Sequence, residues 1–139
     1  MNIYFKEHNI KLITNIPDDE LYLNIDYNRI KQVIVNLLKN SSEARDIRKE
    51  KMVIKINTKV LKNKFQVIIE DNGVGMDNYT LNNITNLFFT TKKNGTGLGT
   101  SLSKEIVDLH NGTLIYDSVL NIGTKVIMTL PIDKNLEID

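Results

Sequence analysis

Apolar residues follow two different spacings along this chain, and each spacing predicts one type of secondary structure. Between residues 27 and 45 they recur with the period of an amphipathic helix, and Asp26 stands where an N-cap is expected. Shorter alternating or wholly apolar runs predict strands. We predict strands at 2–6, 10–16, 21–25, 52–61, 65–70, 113–118 and 124–130, and helices at 27–45, 78–84 and 98–110. This order predicts an α/β fold, with one mixed, largely antiparallel sheet and helices packed on one face.

The glycines are unevenly distributed, because the first 72 residues contain none and six of the seven lie within residues 71–114. Gly95, Gly97 and Gly99 form the string GTGLG directly before a predicted helix, with Lys92 just upstream. Glycines allow a ligand to approach the backbone closely, and the first N–H groups of a helix bind anions. The string matches neither the dinucleotide fingerprint nor the P-loop. It suits a polyphosphate, and a flexible surface loop is the alternative.

The other glycine-rich string, DNGVG, begins where a predicted strand ends. Asp71 follows the apolar residues of that strand, and a carboxylate there could accept a hydrogen bond from an exocyclic amine. Gly73 and Gly75 would leave room for a flat ring against the backbone. Taken alone, however, the string is more typical of a tight turn rich in Asp, Asn and Gly.

Two asparagines on the long predicted helix, Asn36 and Asn40, are four residues apart and therefore share a face. Asparagine is a poor helix former, so the pair needs a reason. Amide oxygens suit Mg²⁺ that bridges phosphates. A polar helix face in an Asn-rich chain is the alternative, and the glycine strings downstream favour the metal.

Composition narrows the class of protein without identifying it. The 139 residues fit one domain, 1–139, with 41% hydrophobic residues, 25% charged residues and a net charge of +1. That charge gives no reason to expect nucleic acid or an anionic membrane as partner. Cysteine is absent, so disulfide and thiolate chemistry are excluded. The charged segment 48–51 is predicted to be a solvated turn.

Five segments, in this order, resemble the sequence boxes of one family. They are QVIVNLLKNSSEA (asparagine box), DNGVG (first glycine box), NLFFTTK (phenylalanine box), GTGLGTSLSKEIVDLHNGTL (second glycine box and its helix) and GTKVIMTLP (closing strand). Together they resemble the ATP-binding catalytic domains of bacterial sensor histidine kinases, especially the nitrogen-regulation and sporulation types. The resemblance covers residues 2–132 and includes the wider GHKL superfamily of gyrase, heat-shock chaperone and mismatch-repair ATPases. It implies the Bergerat fold, a two-layer α/β sandwich that binds ATP and Mg²⁺.

The resemblance also implies a role for individual residues. Asn40 would be the principal Mg²⁺ ligand and Asn36 its helper. Asp71 would bind the adenine amine, and Lys92 would approach the terminal phosphates. The resemblance thus implies Asn36 and Lys92 as the catalytic residues. The remaining expected nucleotide-binding residues are Gly73, Gly75, Met76, Thr90, Thr91, Gly95, Thr96, Gly97, Leu98, Gly99 and Thr124.

One position separates the chemistries found in this superfamily. Hydrolytic relatives, and stand-alone serine kinases that inhibit sigma factors, carry a Glu one helical turn before the metal asparagine. Here that position is Asn36, and an amide cannot take a proton from water or from a serine hydroxyl. A neutral imidazole is already a nucleophile, so Asn36 favours phosphate transfer to histidine. The alternatives are an anti-sigma-type serine kinase and a non-catalytic, nucleotide-responsive regulatory module.

Further positions depart from the family pattern, among them Asn121 and Glu43. Asn121 stands where glycine is frequent, and asparagine tolerates a positive φ better than most residues. Glu43 stands where many sensor kinases place Lys or Arg, so phosphate charge would rest more on Lys92, Arg45 or Mg²⁺.

The expected acceptor histidine is missing from this sequence. His8 and His110 are both predicted to be structural, because neither is followed by an acidic residue. We therefore expect the catalytic fragment of a longer kinase, monomeric by itself and cytoplasmic, although its parent protein could be anchored in a membrane. Its expected partners are the parent's dimerisation domain and, downstream, a response regulator. We expect no contact with nucleic acid or directly with a membrane.

Overall fold

The computed structural model describes residues 9–18, 21–91 and 97–132. Within these residues, five strands and three helices follow one another. They are β1 (Ile10–Asn15), α1 (Tyr27–Glu43), β2 (Met52–Leu61), β3 (Lys64–Asp71), α2 (Asn78–Asn83), α3 (Gly99–Leu109), β4 (Thr113–Val119) and β5 (Gly123–Pro131). No helix among these residues is long and apolar enough to cross a bilayer.

The five strands form one sheet in the order β1-β2-β3-β5-β4. β1 pairs with β2 in parallel, and the other three pairings are antiparallel. The prediction of a mixed, largely antiparallel sheet is therefore confirmed. In the register of this sheet Asp71 on β3 lies opposite Thr124 on β5, and Thr124 lies opposite Ser118 on β4. These three residues share one row at the end of the sheet.

One face of the sheet is covered, which gives the predicted two-layer sandwich. Alternate residues of the strands point into the core, as the period of two requires, and helices α1 and α3 pack against them and against each other. The fully buried side chains come from both layers: Val33, Leu37, Met52, Ile54, Ile69, Val107, Met128 and Leu130. The row of Asp71 lies on this covered face, so the expected site is at the edge of the core.

The predicted strand at 21–25 is wrong. These residues have no regular secondary structure, although Leu23 and Ile25 pack against the core. Their apolar alternation reports burial of one side, but a strand also needs an edge with which to pair. The predicted strand at 2–6 lies outside the described residues.

The start of α1 is fixed by contacts with the end of α3. The Asp26 carboxylate accepts a hydrogen bond from the backbone N–H of Arg29 at 3.2 Å, which confirms the predicted N-cap. The backbone N–H of Asp26 donates to Nε2 of His110 at 3.0 Å, and Nδ1 of His110 lies 2.7 Å from the carbonyl of Ile106. The Nε2 atom thus joins the start of α1 to the end of α3, while Nδ1 contacts α3 itself, as expected of a structural histidine. His8 lies outside the described residues.

Candidate nucleotide-binding site

Asp71 ends β3 on the covered face of the sheet, and only 7% of it is exposed. Its Oδ1 accepts hydrogen bonds from the backbone N–H groups of Gly73 at 2.8 Å and Thr124 at 3.3 Å. The hydroxyl of Ser41, from the end of α1, also donates to this carboxylate. A carboxylate has about four acceptor positions, so capacity remains for a donor from a ligand.

Burial raises the pKa of the Asp71 carboxyl, because the charged form loses its hydration. The hydrogen bonds from Gly73, Ser41 and Thr124 lower the pKa, and so does the positive charge of Lys49. The acceptor strength of this group therefore depends on a set of donors around it, and a perturbed carboxyl of this kind is typical of a functional site.

The two glycines of DNGVG are required by the chain's own backbone. A Cβ on Gly73 would lie 2.3 Å from the carbonyl oxygen of Ala44, and one on Gly75 would lie 2.0 Å from that of Val119. Gly75 also has a φ of +69°. The sequence suggested that these glycines leave room for a ring, but here they let the loop pack against the end of α1 and the turn after β4.

Hydroxyl groups form the adjacent part of the same row. The Oγ of Ser118 accepts a hydrogen bond from the backbone N–H of Met76 at 2.8 Å and lies 2.8 Å from the Oγ1 of Thr124. The predicted residues Asp71, Met76 and Thr124 are thus brought together, with Ser118 between the last two. Ser118 was missed by sequence reasoning, although its place opposite Thr124 follows once the β4–β5 register is known.

The paired asparagines lie on α1, where it passes the start of α3. The Nδ2 of Asn36 donates to the Oγ of Ser103 at 3.0 Å, and a Cβ on Gly99 would lie 2.7 Å from Asn36 Oδ1. Gly99 therefore lets α3 begin directly against this amide. Asn40 lies one turn further along α1 and is partly buried. Asn36 thus has a partner on α3 that the sequence did not suggest.

The described residues contain no cluster of three or more His, Cys, Asp or Glu side chains that could hold a metal. The predicted metal ligand Asn40 offers an amide oxygen, and a bound nucleotide would add phosphate oxygens. Such hard oxygen donors fit Mg²⁺, which usually keeps few protein ligands and shares substrate phosphates.

Two hydrogen bonds connect described residues on either side of the segment that follows α2. The backbone N–H of Phe88 donates to the carbonyl of Gly97 at 3.0 Å, and the Oγ1 of Thr100 donates to the carbonyl of Ile84 at 2.6 Å. Gly97 has a φ of +71°, and a Cβ there would lie 2.1 Å from the carbonyl carbon of Phe88. A glycine is thus required at 97. Residues 88 and 97 bring together the two ends of the segment that the sequence assigned to phosphate binding.

Of the remaining predicted nucleotide-binding residues in this segment, Thr90, Thr91 and Leu98 are among the described residues. Thr90 is partly buried and Thr91 is exposed, while Leu98 precedes α3 without a side-chain capping bond. The first N–H groups of α3 have no partner within the helix, which suits the predicted anion site. Lys92, Gly95 and Thr96 lie outside the described residues.

The charged segment 48–51 is largely the solvated turn that we predicted, with Arg48, Glu50 and Lys51 exposed, but Lys49 is partly buried. The Nζ of Lys49 donates to the carbonyls of Asn72 at 2.6 Å, Ile122 at 3.0 Å and Gly73 at 3.4 Å. Arg48 makes two side-chain bonds to Asp46, at 2.9 and 2.7 Å, and its Nη2 also donates to Asn121 Oδ1 at 2.6 Å. A run of charges does not reveal which carbonyls lie within reach. The expected positive φ of Asn121 is confirmed, at +70°.

Comparison with protein families gives one match over most of the chain. The model of the family described as histidine kinase-, DNA gyrase B- and HSP90-like ATPase matches residues 25–134. The curated relatives include the sensor protein DegM of Bacillus sp. (strain B21-2), 37% identical over 96% of this chain, and sporulation kinase B of Bacillus subtilis (strain 168), 34% identical over 84%. The matched regions span only 35% and 27% of those proteins.

Solved structures give the same family. The catalytic domain of histidine kinase ThkA is 31% identical, with a TM-score of 0.82, and the match covers 94% of this chain and 84% of that one. ThkA has also been solved in complex with the response regulator protein TrrA. That match is 26% identical with a TM-score of 0.78, and it covers 98% of this chain and 38% of the kinase.

Proposed function

This chain belongs to the family of histidine kinase-, DNA gyrase B- and HSP90-like ATPases, and we propose that it is the ATP-binding catalytic domain of a bacterial sensor histidine kinase. In that role it transfers the terminal phosphate of Mg-ATP to a histidine on a separate dimerisation domain. The observation that carries the proposal is the buried Asp71 carboxylate, held by backbone N–H groups with acceptor capacity to spare. The sensor kinases among its relatives support the same assignment.

At the base end of the site, Asp71 would accept a hydrogen bond from the adenine amine. Gly73, Gly75, Met76 and Thr124 would surround the ring, because their backbone already converges around Asp71 and Ser118. The ionised carboxylate is the stronger acceptor, and the donors from Gly73, Ser41 and Thr124 favour that state. Selection of adenine over a base without this amine would follow, since an unpaired buried acceptor is costly.

At the phosphate end, Asn40 would hold Mg²⁺ with help from Asn36, and Lys92 would approach the terminal phosphates. Bound Mg²⁺ supplies charge neutralisation at the phosphates. Gly97 and Gly99 would let the backbone approach the phosphates, and the start of α3 would offer N–H groups to them. The other proposed nucleotide-binding residues of this segment are Thr90, Thr91, Gly95, Thr96 and Leu98. Replacing Asn40 with Ala is expected to abolish Mg²⁺-dependent ATP binding without unfolding the domain. Equal affinities in calorimetry with Mg²⁺ would contradict the assignment.

Asn36 is the residue that favours phosphotransfer over hydrolysis. Its amide is bonded to Ser103 and has no basicity with which to activate water. General-base assistance is typically worth about 10²–10⁴ in rate, so hydrolysis should be correspondingly slow. Steady-state phosphate release by the isolated domain near the enzyme median of roughly 10 s⁻¹ would instead indicate an ATPase.

The proposed partners follow from this role. The acceptor histidine would come from the dimerisation domain of the parent kinase, and the phosphate would pass on to a response regulator, the class of partner seen with ThkA. We place this domain in the cytoplasm as a monomer, within a parent kinase that a separate segment could anchor in a membrane.

The direct test supplies the parent's dimerisation domain in trans with γ-labelled ATP and Mg²⁺. We expect label on the dimerisation domain that acid removes and alkali preserves, which is the behaviour of phosphohistidine. An Asp71→Asn variant is the matched control and should give little label. Label that survives acid would indicate a serine kinase, and ATP binding without transfer would indicate a regulatory module.

A further inference from the structure

Lys49 binds several backbone carbonyl groups beside the proposed adenine site. Its side chain is partly buried, and its ammonium donates to three backbone carbonyls that belong to two separate loops. Asn72 and Gly73 lie in the loop after β3, and Ile122 lies in the turn between β4 and β5. Lys49 itself comes from the loop between α1 and β2. One side chain thus joins three connections around the end of the sheet.

The peptide unit between Asn72 and Gly73 is the point at which Lys49 meets Asp71. The carbonyl oxygen of this unit accepts from Lys49 Nζ at 2.6 Å, and its N–H donates to Asp71 Oδ1 at 2.8 Å. A peptide unit is planar, so its two ends cannot turn independently. The cation on the oxygen also polarises the N–H toward the carboxylate. Rotation of this peptide would break both bonds at once.

We propose that Lys49 is a positioning residue for adenine recognition, because its ammonium fixes the Asn72–Gly73 peptide that orients the Asp71 carboxylate. The inference rests on the proposed function, since it concerns the carboxylate expected to receive the adenine amine. Asn72 is also held from the other side: its side chain accepts from Val53 N–H at 2.8 Å and donates to the Lys51 carbonyl at 3.0 Å. The neighbouring strand therefore maintains the loop's path, while Lys49 controls the orientation of the peptide.

Charge gives Lys49 a second effect on the same carboxylate. The groups that donate to Asp71 from α1, from its own loop and from β5 are Ser41, Gly73 and Thr124, all of them neutral. Lys49 is the charged residue that lowers the pKa of Asp71, against the effect of burial. Without it the carboxylate should take up a proton at a higher pH. Adenine binding, which is stronger to the ionised form, would then weaken at a higher pH.

The test compares ATP with inosine triphosphate, which lacks the exocyclic amine, in calorimetric titrations with Mg²⁺. For Lys49→Met we expect ATP affinity to fall at least tenfold while inosine triphosphate affinity changes little, so that the preference for ATP is lost. The acidic limb of the ATP affinity profile should move to higher pH, because the positive charge of Lys49 lowers the pKa of Asp71. Lys49→Arg, which keeps the charge, should recover part of both effects. Lys59→Met removes an exposed lysine far along β2 and should match the wild type.

Three outcomes would overturn the inference. Lys49→Met could bind both nucleotides like the wild type, or lose both equally, or keep the wild-type pH profile. Equal loss would indicate a purely structural role, which circular dichroism and thermal unfolding would register. If Lys49→Met does not fold, Lys49→Gln keeps hydrogen-bond donors without the charge, and the same ATP preference and pH shift apply to it. Failure of the proposed function is separate: the wild-type domain itself would then show no preference for ATP.

Discussion

Two carboxylates at this end of the molecule are almost equally buried and have opposite environments. Asp46 and Asp71 are 3% and 7% exposed. Asp46 forms a two-bond ion pair with Arg48, which lowers its pKa from 3.8 to about 2. Asp71 is bonded to neutral donors, and burial raises its pKa. A buried charge that is fully paired within the chain contributes to structure, whereas one left with spare acceptor capacity is suited to a ligand.

The contrast extends to the loops that carry the two residues. Asp46 also accepts from the backbone N–H of Arg48 at 3.0 Å, so its contacts stay within one short loop. Asp71 is bonded by groups from its own loop, from α1 and from β5. Its position therefore depends on how several elements meet. We infer that Asp46 stabilises one loop, and that Asp71 is positioned correctly only when the elements at the end of the sheet are assembled.

The largest expected effect that separates the two is on ATP binding. Asp71→Asn keeps one oxygen for the backbone N–H groups of Gly73 and Thr124, but it removes the charge and places an N–H group where the adenine amine would meet the second carboxylate oxygen. Hydrogen bonds to charged groups are worth about 1.5–3 kcal/mol, which corresponds to roughly 10–150-fold in affinity. We expect a loss in that range by calorimetry. Asp117→Asn, an exposed position on β4, is the control and should bind ATP normally. Unchanged affinity in Asp71→Asn would remove Asp71 from the site.

The second expected effect is on thermal stability, and it should be larger for Asp46→Asn than for Asp71→Asn. Asp46→Asn leaves the Arg48 guanidinium without its ionised partner and loosens the loop that reaches Asn121. We expect a Tm several degrees below that of the wild type, with ATP affinity within a few-fold. Asp71→Asn should keep the wild-type Tm or exceed it, since it removes a buried charge. Thermal unfolding without nucleotide makes this measurement, and a larger Tm loss in Asp71→Asn would reverse the two roles.

How far the sequence could predict these two residues depends on the kind of contact. Asp71 was predicted because its string resembles the first glycine box of the family, whereas the string alone was more typical of a turn. The helix and hairpins around it were predicted from strong local periodicity. Lys49 and Ser118 were missed because their partners are 23 to 73 residues away or on a neighbouring strand. The predicted strand at 21–25 was wrong for the same reason, since strand formation depends on a free sheet edge. Local pattern predicts elements, but register and loop packing decide these contacts.

Acid should affect the two carboxylates in opposite directions. The pKa of Asp46 is lowered from 3.8 to about 2, so its contribution to stability is present above about pH 4 and is lost as the pH falls toward 2. The pKa of Asp71 is raised, so its ionised form costs stability at neutral pH, and that cost disappears as the pH falls through the raised pKa. We expect the Tm deficit of Asp46→Asn to shrink between pH 4 and 2. Any Tm advantage of Asp71→Asn should shrink at higher pH values than that. Parallel pH profiles of the two variants would show that their environments do not differ.

The smallest expected effect belongs to a third carboxylate, Glu70, which precedes Asp71 and points to the opposite face of the sheet. In the sheet register it lies directly opposite Lys55 on β2 and Lys125 on β5, so it belongs to a row of alternating charge. Cross-strand pairs of opposite charge contribute roughly 0.2–1 kcal/mol each. Glu70→Gln should therefore lower the free energy of unfolding by about 1 kcal/mol or less in urea titrations, and high salt should reduce the difference because it screens exposed charges. ATP affinity should stay at the wild-type value, since the side chain lies across the sheet from the Asp71 carboxylate. A tenfold loss of ATP affinity in Glu70→Gln would mean that any change at the end of β3 disturbs the site, and the contrast between Asp46 and Asp71 would then reflect position in the sheet more than chemistry.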